Sequence, residues 1–245
     1  AFAKKGLHVC TFNVKTLNDT GAPESLAREL SCLDIAIAGL QEVRFPDQGE
    51  MSVDGYEIFW SGRPDGKKQE GVALCINRKL RATLKEWRPI NERLLFAKFG
   101  HTRGNLTILV CYAPTQDAAD ETKEAFYNQL ESTLNMAGRG DLVVCLGDFN
   151  AVSGLTRIAL DVTIGPHGSG TMKDNLQEMV AFCRKTGMRI GGSWFRRKDI
   201  HRLSWYSNDG HTKKEIDHVL VNTRWNSLMN CRVYRSLVFP ADNSQ

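Results

Sequence analysis

The chain has 245 residues, 42% of them hydrophobic and 24% charged, a length that fits one large α/β domain or two small ones and a composition that excludes a disordered chain. No apolar run approaches the roughly eighteen residues of a membrane-spanning helix, so no membrane partner is expected. The formal net charge is only +4, but from residue 184 onward there are 12 Lys/Arg against 5 Asp/Glu, whereas the preceding part has 20 against 23; this basic end suits a polyanionic partner, or else forms a solvated basic face.

The first five residues lack the apolar core of a signal peptide. The chain opens on Ala1 rather than methionine and reads as a piece of a longer product. Residues 7–13 form the first expected strand, ending in Asn13. Asn18, Asp19 and Thr20 offer helix caps, Pro23 suits a first turn, and Leu26, Leu30 and Leu33 recur at helical spacing. Residues 34–40 are nearly all apolar and end in Gln41 and Glu42; such a strand is covered on both faces, which favours an α/β architecture.

Further strands are expected at residues 56–60, 71–77, 94–99 and 106–112, with a polar loop at 62–70. Their short connections predict antiparallel neighbours. Ala119, Phe126, Leu130 and Leu134 mark a second helix. It leads to a buried strand at 142–146, which stops at Gly147 and presents Asp148 and Asn150. A glycine-rich loop at 165–170 precedes a third helix with Met172, Leu176, Met179, Val180 and Cys183 on one face. Strands at 203–206, 216–221 and 231–235 complete the pattern, and nothing marks a domain boundary. Cys10, Cys75, Cys111 and Cys145 lie inside apolar runs without Cys-x-x-Cys spacing. The cysteines therefore read as buried hydrophobes of a reducing compartment, and the scattered histidines give no metal-binding spacing.

The chemistry lies at the strand ends: Asn13, Gln41 and Glu42, Tyr112 followed by Ala113 and Pro114, Asp148 and Asn150, then Asp217 and His218, and finally Asp242. Asp148 and Asn150, two residues apart on an extended backbone, can aim at one point; the same pair also suits a plain Asx-turn. Acids, amides and a phenol at the ends of several apolar strands are costly as packing and need partners or a cation. Oxygen donors without histidine or cysteine favour Mg2+ or Mn2+ over zinc.

In this order, with Gly147-Asp148-Phe149-Asn150 among them, these residues resemble the endonuclease/exonuclease/phosphatase superfamily over residues 7–242, nearly the whole chain. That group includes DNase I, AP endonucleases, inositol polyphosphate 5-phosphatases and retrotransposon endonucleases. The resemblance implies a single-domain, four-layer α/β sandwich, two mixed β-sheets face to face with helices outside. Residues 165–175, Phe182 and Cys183, Gly191 and Gly192, residues 200–207, Asp217 and His218, and Arg224 and Trp225 are similar to the endonuclease domain of RTE-like non-LTR retrotransposons. AP endonucleases carry a tryptophan just before the aspartate aligned with Asp217. Here that neighbourhood is Lys213, Lys214, Glu215 and Ile216, which argues against dedicated abasic repair.

The resemblance also implies roles. Glu42 becomes the main Mg2+ ligand, helped by Asn13 and Asp242 directly or through water. Asp148 orients and deprotonates the attacking water, Asn150 positions Asp148 and the phosphate, and Tyr112 hydrogen-bonds a phosphate oxygen. Asn175 becomes a phosphate contact, and Ser204 and Asp217 flank the late strands. One departure stands out. The family ends this region with Ser-Asp-His, and Asp217 would orient that histidine. Here the aligned residues are Ala241, Asp242 and Asn243. An asparagine donates a hydrogen bond but carries no positive charge. Losing a histidine that works with its partner costs roughly 10⁴ or more in rate. Asn243 is an engineered inactivation, a natural decay, or a sign that the alignment slips over the last ten residues. His218 is no substitute, because it follows Asp217 on the strand and faces the other way.

Residues 207–210 carry a hairpin signal, with His211, Lys213 and Lys214 beside the tip. In retrotransposon endonucleases the matching hairpin enters the DNA minor groove; the alternative is a solvated hairpin. Arg196, Arg197, Lys198, His201 and Arg202 suit phosphate contact. Trp194 and Phe195 suit base stacking or, more readily, core packing, and Trp205, Tyr206 and Trp225 read as core. The implied function is Mg2+-dependent nicking of double-stranded DNA in the nucleus, giving a 3′-hydroxyl for a downstream reverse transcriptase segment. A catalytically disabled DNA-binding module or domesticated remnant, and an AP endonuclease or exonuclease of the same fold, remain as alternatives.

Overall fold

Sequence runs that are apolar on both faces become the centres of two packed sheets. The computed structural model describes residues 6–102, 104–154, 162–170, 176–207, 212–222 and 227–234. The first sheet holds β1 (Val9–Asn13), β2 (Ile37–Gln41), β3 (Gln48–Val53), β4 (Tyr56–Ser61) and β5 (Val72–Asn77), in the order β1-β2-β5-β4-β3. β1 and β2 are parallel, as a crossover through α1 (Ala22–Cys32) requires, and the other pairs are antiparallel. Every residue of β2 is buried, in keeping with its unbroken apolar sequence.

The second sheet contains β6 (Leu84–Asn91), β7 (Leu94–His101), β8 (Gly104–Tyr112), β9 (Leu142–Asp148) and β10 (Met188–Ile190). A small hairpin of β11 (Trp205–Tyr206) and β12 (Lys213–Lys214) then leads to β13 (Asp217–Asn222), and the sheet order is β10-β13-β9-β8-β7-β6. α2 (Asp120–Leu134) makes the crossover between the parallel pair β8 and β9, and α3 (Leu176–Thr186) precedes β10.

Three apolar clusters glue the layers. Ile37, Phe59, Leu74 and Ile76 of the first sheet meet Leu95, Ile108, Val110 and Leu146 of the second. Leu26, Ala27 and Leu30 of α1 cover the outside of the first sheet, and Phe126, Leu130, Met179 and Cys183 of α2 and α3 cover the second. The result is the four-layer sandwich. The two sheets approach closely at Gly39, where an added Cβ would lie 2.7 Å from the Cβ of Leu146. All seven cysteines are free, and none of the described helices is long and apolar enough to cross a membrane.

Several sequence expectations are corrected. β3 and β6 carry no apolar run and were not expected; both are sheet edges, where one side of the strand faces water. β6 tolerates Pro89 beside a register irregularity because an edge strand can spare a donor. With β6 inserted, β5 and β7 belong to different sheets rather than pairing as neighbours. α1 starts without a side-chain cap: Gly21, at φ 81, makes the turn, and the Asp19 carbonyl accepts from Ala22 N–H at 3.1 Å. Cys231 to Tyr234 form no strand, since β13 already pairs on both sides with β9 and β10. Trp205, expected in the core, is 41% exposed on its two-residue strand. Trp225 lies outside the described residues.

Candidate active site

Strand register brings the chemistry together. Asn13 pairs with Gln41 at the parallel ends of β1 and β2. On the second sheet Asp148 is directly opposite both Tyr112 and Asp217, so three polar residues stand in one row across β8, β9 and β13. Directly paired residues share a face of the sheet. This row faces the first sheet, and the Asn13 amide crosses the gap. Its Nδ2 donates to Glu42 Oε1 at 2.7 Å and to Asp148 Oδ2 at 3.2 Å. Its Oδ1 accepts from Lys15 N–H at 3.1 Å, so Asn13 joins the two acids and turns its oxygen away from them.

Glu42 sits one residue beyond β2 in a left-handed conformation, φ 56, and Arg44 repeats it at φ 58. For residues with a Cβ this costs roughly 1–2 kcal/mol each. Hydrogen bonds from Val43 N–H to Gly71 O and from Arg44 N–H to Glu70 O, at 3.1 and 2.9 Å, hold the turn. The strain aims the Glu42 carboxylate into the cleft. Tyr112 OH donates to its Oε1 at 3.1 Å, and Arg44 Nη2 donates to its Oε2 at 3.2 Å.

Asp148 and Asn150 do form the Asx-turn: Asn150 N–H donates to Asp148 Oδ1 at 3.0 Å, with Asn150 at φ 48. The turn serves the site, because it fixes one carboxylate oxygen while the other faces Asn13. The Asn150 side chain donates to Ala113 O at 3.0 Å, tying this loop to the residue after Tyr112.

Burial drives the electrostatics. It pushes the Asp148 carboxyl up to about 6, against the Asn150 N–H and the Asn13 amide, with Glu42 adding to the rise. Burial, then the charge of Asp148, pushes Asp217 up to about 8, opposed by Ser204. Asp217 Oδ1 is sealed from solvent and has no hydrogen-bond partner among the described residues. The facing pair therefore holds one proton between its two carboxyls near neutral pH. The Tyr112 phenol is raised well above its ordinary value by burial first and then by Glu42 and Asp148.

Other residues singled out from the sequence make contacts of their own. Ser204 Oγ accepts the N–H groups of Ile216 and Asp217 at 3.1 and 3.2 Å, anchoring the start of β13. Arg202 pairs with Asp199 at 3.0 Å, Lys213 lies 5.7 Å from the Tyr206 ring centroid, and Lys214 is opposite Trp205. His218 points away from Asp217, with Nε2 2.7 Å from Ala151 O and its ring 6.2 Å from Phe149. Asn175, His211, Asp242 and Asn243 lie outside the described residues.

Arg44 was not singled out from the sequence, although its position two residues after Glu42 was a usable signal. The pair of Glu70 and Arg93 gave no local signal, being 23 residues apart. Among the described residues no group of three or more His, Cys, Asp or Glu closes into a metal cage. The donor set still suits a hard cation: Glu42 and Asp148 come together from different sheets, and Asp217, paired with Asp148 in the ladder, has a buried oxygen without a hydrogen-bond partner among the described residues.

The sequence pattern of the Endonuclease/Exonuclease/phosphatase family matches residues 10–229, from β1 to beyond β13. This chain belongs to that family. Among its relatives, craniofacial development protein 2 of Bos taurus is 28% identical over 217 residues, which is 89% of this chain and 36% of that protein. The chain thus spans little more than a third of the curated relatives it matches. Among solved structures, the AP endonuclease LMAP from Leishmania major superposes with a TM-score of 0.64 at 13% identity, over 89% of this chain and 79% of that one. The endonuclease domain of TRAS1, a telomere-specific non-LTR retrotransposon, gives 0.61 at 16% identity, over 89% and 85%. At such identities the family's fold is what the two share with this chain.

Proposed function

We propose that the chain is the Mg2+-dependent DNA-nicking endonuclease domain of a non-LTR retrotransposon. It would cut double-stranded DNA in the nucleus and leave a 3′-hydroxyl for a downstream reverse transcriptase segment. The observation that carries this reading is the meeting of Glu42 and Asp148, one from each sheet, through the single Asn13 amide at 2.7 and 3.2 Å.

Glu42 would hold Mg2+, or Mn2+, with Asp242 as a further oxygen donor, while Asn13, whose amide nitrogen faces both acids, would orient the Glu42 carboxylate. The cation supplies charge neutralisation at the phosphate under attack. The protein's own groups do the rest. Asp148, with a pKa of about 6, is ionised at neutral pH and basic enough to take a proton from water. The raised Tyr112 phenol stays protonated and donates, to Glu42 at rest and to a phosphate oxygen in the complex. Asp217 holds a proton beside Asp148, and by the family resemblance it would orient the residue at the histidine position, which in this sequence is Asn243. Arg202, Lys213, Lys214 and the rest of the basic end bind the DNA backbone. The retrotransposon assignment rests on the sequence motifs at residues 165–175 and 200–207; the TRAS1 domain shares the fold.

A second reading is a disabled DNA-binding module of a host gene. It is favoured by Asn243 and by the similarity to craniofacial development protein 2. A supercoiled-plasmid assay in Mg2+ separates the two. Asn243→His is expected to raise nicking at least about 10²-fold, and Asp148→Ala in that background to abolish it. A rise of no more than a fewfold sinks the nicking assignment or the placement of the histidine position. An abasic oligonucleotide cut in strong preference to an intact one would instead indicate an AP endonuclease.

A further inference from the structure

A second charged cluster adjoins the site without belonging to it. Glu70 closes the polar loop before β5 at φ 50. Its carboxylate is 21% exposed and lies between two guanidinium groups: Oε1 accepts from Arg93 Nη2 and Oε2 from Arg63 Nη1, both at 3.1 Å. Arg63 is itself gripped by Asp65 at 2.8 and 3.0 Å. Arg93 centres its guanidinium 5.1 Å from the Tyr112 ring centroid and donates from Nη1 to the Tyr112 carbonyl at 3.3 Å. Tyr112 N–H donates back to Arg93 O at 2.9 Å.

The backbone of the same residue reaches the other flank. The Glu70 carbonyl accepts from Arg44 N–H at 2.9 Å, inside the left-handed turn that aims Glu42. Tyr112 donates to one oxygen of Glu42 and Arg44 to the other. Glu70 therefore reaches two of the three hydrogen-bond partners of Glu42, Arg44 directly through its carbonyl and Tyr112 through Arg93, without touching Glu42.

We propose that Glu70 is a positioning residue for the cation-binding carboxylate, holding the Tyr112 hydroxyl through Arg93 and the Arg44 turn through its own carbonyl. Glu42 then meets the cation with both oxygens already oriented. Preorganisation of this kind appears as affinity, because the ordering is complete before the ligand arrives. The inference rests on the reading of Glu42 as the metal ligand.

The test is a Mn2+ titration of the full chain, followed by electron paramagnetic resonance, beside thermal melting. Glu70→Ala is expected to weaken Mn2+ binding roughly tenfold, the scale of one lost charge-assisted hydrogen bond. Glu70→Gln, which keeps an acceptor, is expected to lose about threefold. Arg93→Lys keeps the charge but not the planar fork, and is expected to lose about fivefold. Once Tyr112→Phe removes the hydroxyl, Glu70→Ala is expected to cost little further affinity, because alanine keeps the backbone carbonyl that holds the Arg44 turn. If Glu70→Ala does not fold, Arg93→Lys decides. A lower melting temperature with unchanged Mn2+ affinity makes Glu70 a loop stabiliser and overturns the proposal, while leaving Glu42 as the ligand. A parent chain that binds no Mn2+ overturns both the proposed function and this inference.

Discussion

Replacing Asp217 by asparagine is expected to stabilise the chain, and to do so more at high pH. Asp217 is opposite Asp148 in the ladder, with one oxygen sealed and unpartnered among the described residues. Its carboxyl rises from 3.8 to about 8, through burial and then the charge of Asp148. Between those two values the folded chain keeps a proton that the unfolded chain has released. Stability therefore falls as pH rises from about 4 to about 8, and the loss is complete above that. At about 1.4 kcal/mol per pH unit the full change corresponds to about 6 kcal/mol. Sharing of the proton with Asp148, and water readmitted to the cleft on ionisation, reduce this to about 2–3 kcal/mol at pH 9. At pH 5 the expected cost is under about 1 kcal/mol. Asparagine keeps the shape, donates to Asp148 and carries no charge. For a chain of this length, melting temperature should rise by about 4–10 °C at pH 9 and by no more than about 2 °C at pH 5. Differential scanning calorimetry of both proteins at the two pH values measures this. An equal gain at both, or a larger one at pH 5, would refute the reasoning that Asp217 is a destabilising buried charge.

The same chemistry gives three further expectations. In the Asn243→His background, kcat/KM for nicking should climb with pH through about 6 as Asp148 ionises, and a profile flat from pH 5 to 8 would remove Asp148 as the base. Gly39→Ala places a Cβ 2.7 Å from Leu146 Cβ and should destabilise by about 1–3 kcal/mol in urea unfolding; a neutral result would mean the sheets part freely there. Lys213→Gln with Lys214→Gln should weaken DNA binding across unrelated sequences and lower the slope of log K against log salt by about 1–2, whereas an unchanged slope takes the hairpin out of the phosphate contacts.

The site was readable wherever an apolar strand ended in a polar residue. β1, β2, β8 and β9 do so and β13 begins on Asp217; parallel or antiparallel register then sets Asn13, Glu42, Tyr112, Asp148 and Asp217 around one cleft. Edge strands were not readable. β3 alternates exposed and half-buried residues until Val53, and β6 contains a proline, so neither shows the run that marks a central strand. The supports of Glu42 were hidden for another reason. Glu70 and Arg93 meet only because β5 and the turn before β7 lie side by side in space, and no local spacing records that. Trp205 misled because an aromatic in a short strand resembles core, whereas a two-residue ladder has too little sheet behind it to bury an indole.

The seam at Gly39 has a consequence for how this molecule could be controlled. Half of the cleft rides on one sheet and half on the other, so the spacing between its acids depends on how deeply two layers interlock at Gly39 and Leu146, which precede Glu42 and Asp148 along the chain. A swelling of that seam by a single methyl group would act as a dial on the distance between Glu42 and Asp148, and loss of cutting could then arise from a residue that never meets DNA.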